Sequence, residues 1–498
     1  MHLTELAARR PERPAAVVDG GSVLTYAELD AASRRLAALL RDRGLVEGDR
    51  IAVLLPNVVE YFPVVWAAQR SGLLYVPVNR HLTAAEAAYV VADSGARALI
   101  ASEDLPAPGP DLRWSVGGEI DGFEPLDATL QGDEVPPPRA GETEGSYMFY
   151  SSGTTGRPKG IVPELPQAPF GTGLGIDRMV GPLYGFDADT VYLCPGPLYH
   201  AAPLGWSLAT QRHGGTVVVM PRFDAQRFLA LVEERRVTHV QCVPTMFVRL
   251  LALPAEVRAR YDVSSLRVVV HAAAPCPVDV KRAMIEWLGP IVHEYYAGSE
   301  GNCFVHIDPQ EWLAHPGSVG RPEPGTVHVL DDDGVPLPSG EIGTLWFSGG
   351  RTFRYHNDPE RTAAATDVHG RSTLGDVGHV DPDGYLYLAD RRTDLIISGG
   401  VNIYPREVEE ALGRHPAVAD VAVVAVPDAD RGHSVRAVVQ PEAGVVTGPE
   451  LAAELITFCR THLAAFKCPR AVDFDDALPR LPSGKLLRRQ VRARYWPV

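Results

Sequence analysis

Short apolar runs alternate with longer amphipathic stretches along the first half of the chain. Ala15-Ala-Val-Val-Asp19 reads as a brief buried strand, Leu24-Thr-Tyr-Ala-Glu-Leu-Asp30 opens a helix with Thr25 as its N-cap, and Arg50-Ile-Ala-Val-Leu-Leu-Pro56 is another apolar strand. The alternation continues through a helix at 64–74, a strand at 75–78, a helix at 84–94 and a strand at 98–101. It predicts a parallel sheet with helices on both faces. Residues 102–146, rich in Pro, Gly and acids, read as loops and short edge strands.

A second alternation spans about 190–297. Strands V-Y-L-C-P, T-V-V-V-M, H-V-Q-C-V-P, L-R-V-V-V-H and P-I-V-H-E-Y-Y are separated by helical stretches such as 225–235, 244–253 and 278–288. Two doubly wound sheets packed together would leave a ligand crevice between them. From 317 to 390 the strands shorten and D-D-D-G, P-S-G, S-G-G and D-P-D-G intervene, the pattern of an antiparallel sheet or small barrel. A charged connector, Asp390-Arg-Arg-Thr-Asp394, then leads into a compact α+β stretch of about 105 residues. That stretch holds a Gly399-Gly400 turn, a helix at 405–414, strands over V-A-D-V-A-V-V-A-V and 435–439, a helix at 450–464 and a polar tail.

Composition narrows the class without naming it. The 498 residues suggest roughly two to four domains. No run approaches the ~20 apolar residues of a membrane span. Residues 1–14 carry Arg9, Arg10 and Arg13 but no apolar segment, so they do not read as a secretory leader, and the expected location is cytoplasmic. A net charge of −15 argues against general binding to nucleic acid or anionic membrane. The six cysteines form no C-x-x-C pair, which favours buried free thiols over zinc ribbons or a disulfide framework.

The stretch with the most chemistry is Tyr150-Ser-Ser-Gly-Thr-Thr-Gly-Arg-Pro-Lys-Gly160. Gly153, Gly156 and Gly160 let backbone turn through positive φ and approach a ligand. Between them Ser151, Ser152, Thr154 and Thr155 offer hydroxyls, and Lys159 adds a mobile charge, which together make a polyphosphate cradle. The spacing differs from G-x-x-x-x-G-K-[ST], so a P-loop NTPase is disfavoured.

Further stretches follow in order: Pro197-Leu-Tyr-His200, Ala272-Ala-Ala-Pro275, Tyr296-Ala-Gly-Ser-Glu300, Leu374-Gly-Asp-Val-Gly378, Ser398-Gly-Gly-Val-Asn402 and Leu478-Pro-Arg-Leu-Pro-Ser-Gly-Lys485. With the cradle, over roughly residues 11–490, they resemble the adenylate-forming superfamily of acyl-CoA synthetases, peptide-synthetase adenylation domains and luciferases. The resemblance implies an α/β fold. A large N-terminal domain (1–391) of two doubly wound α/β subdomains plus a small β-barrel precedes a small mobile α+β C-terminal domain (392–498). It also implies two half-reactions: a carboxylate attacks the α-phosphate of ATP to give acyl-AMP and pyrophosphate, then a thiol, usually that of coenzyme A, displaces AMP.

The resemblance distributes roles by position. Glu300 and Thr155 would hold Mg²⁺, Ser299 would contact phosphate, and Tyr296 would stack on adenine. Ala272, Ala273, Ala274 and Pro275 would run along the adenine, with alanines that suit negative φ in place of glycines. Asp376 and Arg391 would bind ribose. The acyl pocket would be walled by Tyr199, His200, Ala201, Thr245, Phe247, Tyr295, Ala297, Gly298, Val319 and Gly320, an apolar lining that suits a fatty or aromatic acid better than an amino acid. Lys485 would bridge carboxylate and α-phosphate, with His200 and Glu300 as the other catalytic positions. Ser398, Gly399, Gly400 and Lys467 would face coenzyme A, and Thr393 stands where the family has a hinge Asp or Lys. His271 reads as a packed histidine, and Arg488 and Arg489 as surface residues. The expected activity is an ATP-dependent carboxylic acid:CoA ligase. The alternative passes the activated group to a carrier-protein thiol, an amine or an inorganic nucleophile, motivated by Thr393 and the altered adenine-side residues. A homodimer and a carrier protein stay open as partners. A nucleotide-binding protein without catalysis is disfavoured by the presence of Lys159, Glu300 and Lys485.

Overall fold

The computed structural model describes residues 2–82, 84–102, 109–151, 158–165, 167–391, 394, 396–398, 401–428, 432–463, 465, 467–480 and 486–496. The chain forms two compact units. The first comprises Met1–Ala272, Lys281–Asn302 and Arg351–Ala364, and the second Ala273–Val280, Cys303–Gly350 and Ala365–Val498.

Both parallel sheets that the alternation predicts lie in the first unit. One has the order Glu124–Pro125, Leu112–Val116, Ala98–Ser102, Arg50–Leu54, Leu74–Pro77, Ser146–Tyr147, parallel throughout. The other runs Val292–Tyr296, Val268–His271, His239–Cys242, Val191–Cys194, Thr216–Val219, Pro14–Val18, and ends in the antiparallel strand Val23–Thr25. Strands such as Ile51-Ala-Val-Leu54 and Val268-Val-Val-His271 are buried along their whole length, as expected where helices cover both faces.

The first strand departs from the expected order. Pro14–Val18 does not head the first alternation but joins the second sheet, with Ala16 opposite Val217. The helix Tyr26–Asp42 secures this arrangement. Thr25 caps it in a reciprocal capping box with Glu28, and the buried Tyr26 Oη donates to the carbonyls of Gln211 and Gly215 at 2.9 and 2.7 Å. Local periodicity cannot choose between two sheets of equal apolarity; this tertiary anchor does. Residues 102–146 likewise contribute an interior strand, Leu112–Val116, seated on the buried Trp114.

A three-stranded antiparallel sheet, Phe353–Tyr355, Lys159–Pro163, Phe149–Ser151, completes the first unit. Within the 317–390 region, the strands that lie in the second unit are antiparallel, as its turns predict: Thr326–Leu330, Gly343–Ser348, Asp376–Val380, Leu386–Arg391. Further on, Val418–Asp428, Gly432–Pro441 and Ala471–Phe474 form a sheet covered by helices Pro405–Leu412 and Pro449–His462. The expected polar tail is folded. Ala471–Phe474 pairs in parallel with Gly432–Pro441, and helix Arg488–Ala493 buries Val491 in a cluster with Ala422, Val424, Val438 and Leu478. Its sparse apolar residues cover the sheet face that the two helices leave open. Arg488 is accordingly half-buried against Glu409 at 2.8 Å, a correction to its surface assignment, while Arg489 is exposed. All six cysteines are buried and none forms a disulfide, and among the described residues no helix is long and apolar enough to cross a membrane.

Candidate functional site

The stem of the hydroxyl loop is a hairpin in which Lys159 faces Ser151 and Gly160 faces Tyr150. Ser152, Gly153, Thr154, Thr155 and Gly156 lie outside the described residues. Asp93 clamps the stem: the Tyr150 hydroxyl donates to its Oδ2 at 2.7 Å, and His356 Nε2 lies 2.9 Å from its carbonyl. The His356 N–H in turn donates to the Gly160 carbonyl at 2.8 Å. Gly160 is a strand residue rather than a positive-φ turn, which corrects its expected role. A Cβ there would sit 2.5 Å from Met148 Cε and 3.1 Å from His356 Cβ, so the glycine serves close packing.

The strand Val292–Tyr296 delivers the acid. Ala297, Gly298, Ser299 and Glu300 follow it in a half-buried turn closed by the Gly301 N–H on the Gly298 carbonyl. Glu300 Oε1 accepts from the Tyr355 hydroxyl at 3.0 Å, and the Arg361 guanidinium lies 4.5 Å above the Tyr355 ring. The pleat sends Tyr295 to the opposite face from Glu294 and Tyr296. Tyr295 is buried, accepts from Trp206 Nε1 at 3.3 Å and stacks on its indole, and burial pushes its phenol up to about 12. Tyr184 packs 5.0 Å from the same indole. Behind this strand the buried Glu294 accepts from Lys281 Nζ at 2.7 Å and lies 3.3 Å from His271 Nε2, so His271 is packed as expected.

His200 sits at the N-cap position of the helix Ala201–Arg212, half-buried, its ring 4.6 Å from that of the buried Tyr199. Asn57, which sequence reasoning missed, fixes the approach to it: Nδ2 donates to the carbonyls of Gly196 and Met220, and Oδ1 accepts from the Leu198 N–H at 2.9 Å. Its only signal was position, just past the carboxyl end of a parallel strand. Thr245 and Phe247 part company. Side chains two residues apart on a helix diverge widely, and Phe247 is fully buried, edge-on to His271 at 5.3 Å, lining a small apolar void with Cys242, Met284 and Trp287. It belongs to the core rather than to a wall shared with Thr245.

In the second unit Ala273 has φ +72, contrary to the negative φ expected of alanines in this turn. A left-handed alanine costs about 1–2 kcal/mol, strain of the kind that clusters at ligand sites. Ala273 and Pro275 are exposed and Ala274 half-buried, whereas Ala272, which ends the first unit's long segment, is buried. Asp376 and Arg391 are direct cross-strand neighbours, and Asp376 is buried. Val319 is buried, and Gly320 holds φ +102 where a Cβ would collide with the His306 carbonyl. Ser398 is buried in a two-stranded hairpin with Val401 as its partner. Lys467 Nζ lies 2.6 and 2.8 Å from the carboxylate oxygens of Glu407. Thr393, Gly399, Gly400 and Lys485 fall outside the described residues. The flanks of the Lys485 segment are nonetheless pinned: Arg480 bridges Leu486 and holds Asp420 in a two-pronged ion pair. Also in the second unit, His315, Asp381 and Asp383 have metal-ligating spacing. Asp381 already accepts from the Asp383 and Tyr385 N–H groups and faces His315 Nδ1 at 3.2 Å, so the cluster is internally satisfied.

An antiparallel hairpin that carries the hydroxyl stretch, an acid just past a parallel strand and a histidine at a helix start suit a nucleotide-handling α/β enzyme. A family model described as AMP-binding enzyme matches residues 3–355, and one described as AMP-binding enzyme C-terminal domain matches 407–485. The chain belongs to this family, the adenylate-forming superfamily, and is of its acyl-CoA synthetase type. It is 38% identical to a feruloyl-CoA synthase of an Amycolatopsis species, over 98% of this chain and 97% of that protein. It is 34% identical to a fatty acid–[acyl-carrier-protein] ligase of Streptomyces coeruleorubidus, over 98% and 95%. Among solved structures, an amide bond synthetase from Marinactinospora thermotolerans superposes with a TM-score of 0.83 at 30% identity, covering 99% of each chain.

Proposed function

We propose that this chain is an ATP-dependent carboxylic acid:CoA ligase acting through an acyl-adenylate on an aromatic or fatty acid. The observation that carries the reading is Glu300 held at a strand end in the same unit as the clamped stem of the hydroxyl loop. Two polyanions must meet in the first half-reaction, and donors and cations have to offset their repulsion. Lys159 and the hydroxyls of Ser151, Ser152, Thr154 and Thr155 take the departing β- and γ-phosphates. Glu300 fits Mg²⁺, since a half-buried carboxylate with one oxygen committed to Tyr355 keeps a hard oxygen for it, and Thr155 would be the second residue to hold it. When bound, the ion supplies charge neutralisation on the phosphate oxygens. Ser299 binds phosphate, Tyr296 and Ala272–Pro275 bracket adenine, and Asp376 and Arg391 hold the ribose. Lys485 stabilises the charge that grows between carboxylate and α-phosphate.

In the second half, residues 392–498 turn about Thr393, Lys485 leaves, and Ser398, Gly399, Gly400 and Lys467 receive coenzyme A. The identity to a feruloyl-CoA synthase and the stacked aromatics around Tyr295 support an aromatic acid. The setting implied by these co-substrates is the cytoplasm. A second reading keeps the adenylate and changes the acceptor to a carrier-protein thiol or an amine. The carrier-protein ligase and the amide bond synthetase among the similar proteins, together with Thr393, favour it.

The test is a panel of acids assayed for pyrophosphate release, with and without CoA, amines and carrier protein. Lys485→Ala is expected to lower acid-dependent ATP/pyrophosphate exchange by roughly 100-fold or more while thiolysis of supplied acyl-AMP persists. Equal loss of both halves in a folded variant would refute the role given to Lys485.

A further inference from the structure

Resting on this adenylation reading, we propose that Tyr355 is the positioning residue for Glu300, arranging the carboxylate so that it offers one oxygen to the divalent cation of ATP. The phenol donates to Glu300 Oε1 at 3.0 Å, and among the described residues no hydrogen bond falls on Oε2. Tyr355 itself is held on three sides. Its ring is buried, with only 6% of the residue exposed, and lies beneath the Arg361 guanidinium. Its N–H donates to Thr362 Oγ1 at 3.0 Å, and Asp358 Oδ1 accepts from the Arg361 N–H, which ties ring, cation and backbone into one short turn.

The same residue is joined to the phosphate loop. Tyr355 faces Ile161, two residues beyond Lys159, and the other edge of that strand pairs Lys159 with Ser151. One strand therefore connects the exit of the hydroxyl loop to the residue that orients the acid, so the loop and the carboxylate are placed by a common element.

The chemistry follows from the needs of the ion. Mg²⁺ demands a near-octahedral shell at about 2.0–2.1 Å, which a two-toothed carboxylate spans poorly, whereas Ca²⁺ accepts such a carboxylate readily. A carboxylate oxygen already engaged by a phenol is less available as a second tooth, and the hydrogen bond fixes the rotamer of the other. Tyr355 thus favours Mg²⁺ over larger ions and sharpens its binding. Neighbours that hydrogen-bond ligating carboxylates are worth roughly 10-fold or more in metal affinity.

The experiment is calorimetric titration of the full-length protein with α,β-methylene-ATP over a series of Mg²⁺ and Ca²⁺ concentrations, for wild type, Tyr355→Phe and Arg361→Met, with thermal midpoints as a fold control. Tyr355→Phe is expected to raise the Mg²⁺ midpoint for analogue binding roughly 10-fold. Affinity without metal should be unchanged and the preference for Mg²⁺ over Ca²⁺ reduced. Arg361→Met, which keeps the phenol, should stay within about twofold of wild type. An unchanged Mg²⁺ midpoint in Tyr355→Phe would overturn the proposal, as would equal shifts in both variants, since the packing of the turn and not the hydrogen bond would then set the midpoint. The titration needs no acid substrate. A wild-type protein inert toward every acid would sink the ligase reading, and the Mg²⁺ midpoint would still decide the role of Tyr355.

Discussion

Glu294, Lys281 and His271 form a buried charge cluster one residue behind the stretches that carry Ala272 and Tyr295. Burial pushes the Glu294 carboxyl up, but the His271 ring and the Lys281 ammonium outweigh it and hold the group at about 2. Burial also lowers His271, so near neutral pH Lys281 is the cation that faces the carboxylate. Removing Lys281 alone strands a buried negative charge. Lys281→Met should cost about 3–5 kcal/mol in urea denaturation, and Lys281→Met with Glu294→Gln should recover most of it. The sign of the pH effect follows from the depressed carboxyl. Its contribution is fully present above the ordinary glutamate range near 4.3 and is lost as pH falls toward 2. Between pH 4 and 2 the double variant should therefore lose stability less steeply than wild type; parallel slopes would count against the cluster. Glu300 stands out as a candidate in the sequence because Y-A-G-S-E is a contiguous signal. Tyr355 and Asn57 do not, since each acts on residues 55 and some 140 positions away in sequence, and only folding pairs them. Phe247 misled for a related reason: nearness to Thr245 along the chain says nothing of which side of the helix each residue takes.

At the level of elements, the helix Pro405–Leu412 meets the stretch that carries Lys467 through Glu407. Both side chains are partly exposed, so the pair contributes little to stability, about 0–1 kcal/mol. Its functional effect should be of the same modest size but measurable, because any phosphate of coenzyme A that approaches Lys467 competes with a carboxylate already in place. Glu407→Gln should lower the KM for CoA about two- to threefold with stability within 1 kcal/mol, and Lys467→Ala should raise it. Steady-state kinetics at saturating acid and ATP would show this, and an unchanged KM in both variants would remove Lys467 from the CoA site. Strand and helix types were readable here from local pattern, including Thr25 as an N-cap and the two apolar strands of the last hundred residues; the reciprocal partner Glu28 and the pairing of those strands emerge only in the fold. The structured tail was not readable, because Leu478 and Val491 are too few and too far apart to mark a face before the sheet they cover exists.

For the whole molecule, the thiols give an integrity test. All six cysteines are buried and outside any disulfide, and burial raises Cys194 to about 12, far from the thiolate that reacts. A thiol reagent should label the native protein slowly and release six equivalents once guanidinium unfolds it; rapid labelling of any one in the native state would show that part of the fold to open readily. The scaffold was legible at this scale because each α/β alternation is local. Which sheet received the first strand was not, since that is decided by Ala16 meeting Val217 and Tyr26 reaching Gln211.

That pairing has a consequence for the newborn chain. Pro14–Val18 leaves the ribosome early but finds its partner Thr216–Val219 only after about 200 more residues are made, some 10–40 s at ordinary synthesis rates. In the meantime the sheet from Arg50–Leu54 to Ser146–Tyr147 is complete in sequence and free to assemble. The hairpin of Pro14–Val18 and Val23–Thr25 therefore waits as an exposed apolar edge during translation, and a chaperone that binds short apolar segments should find a target there.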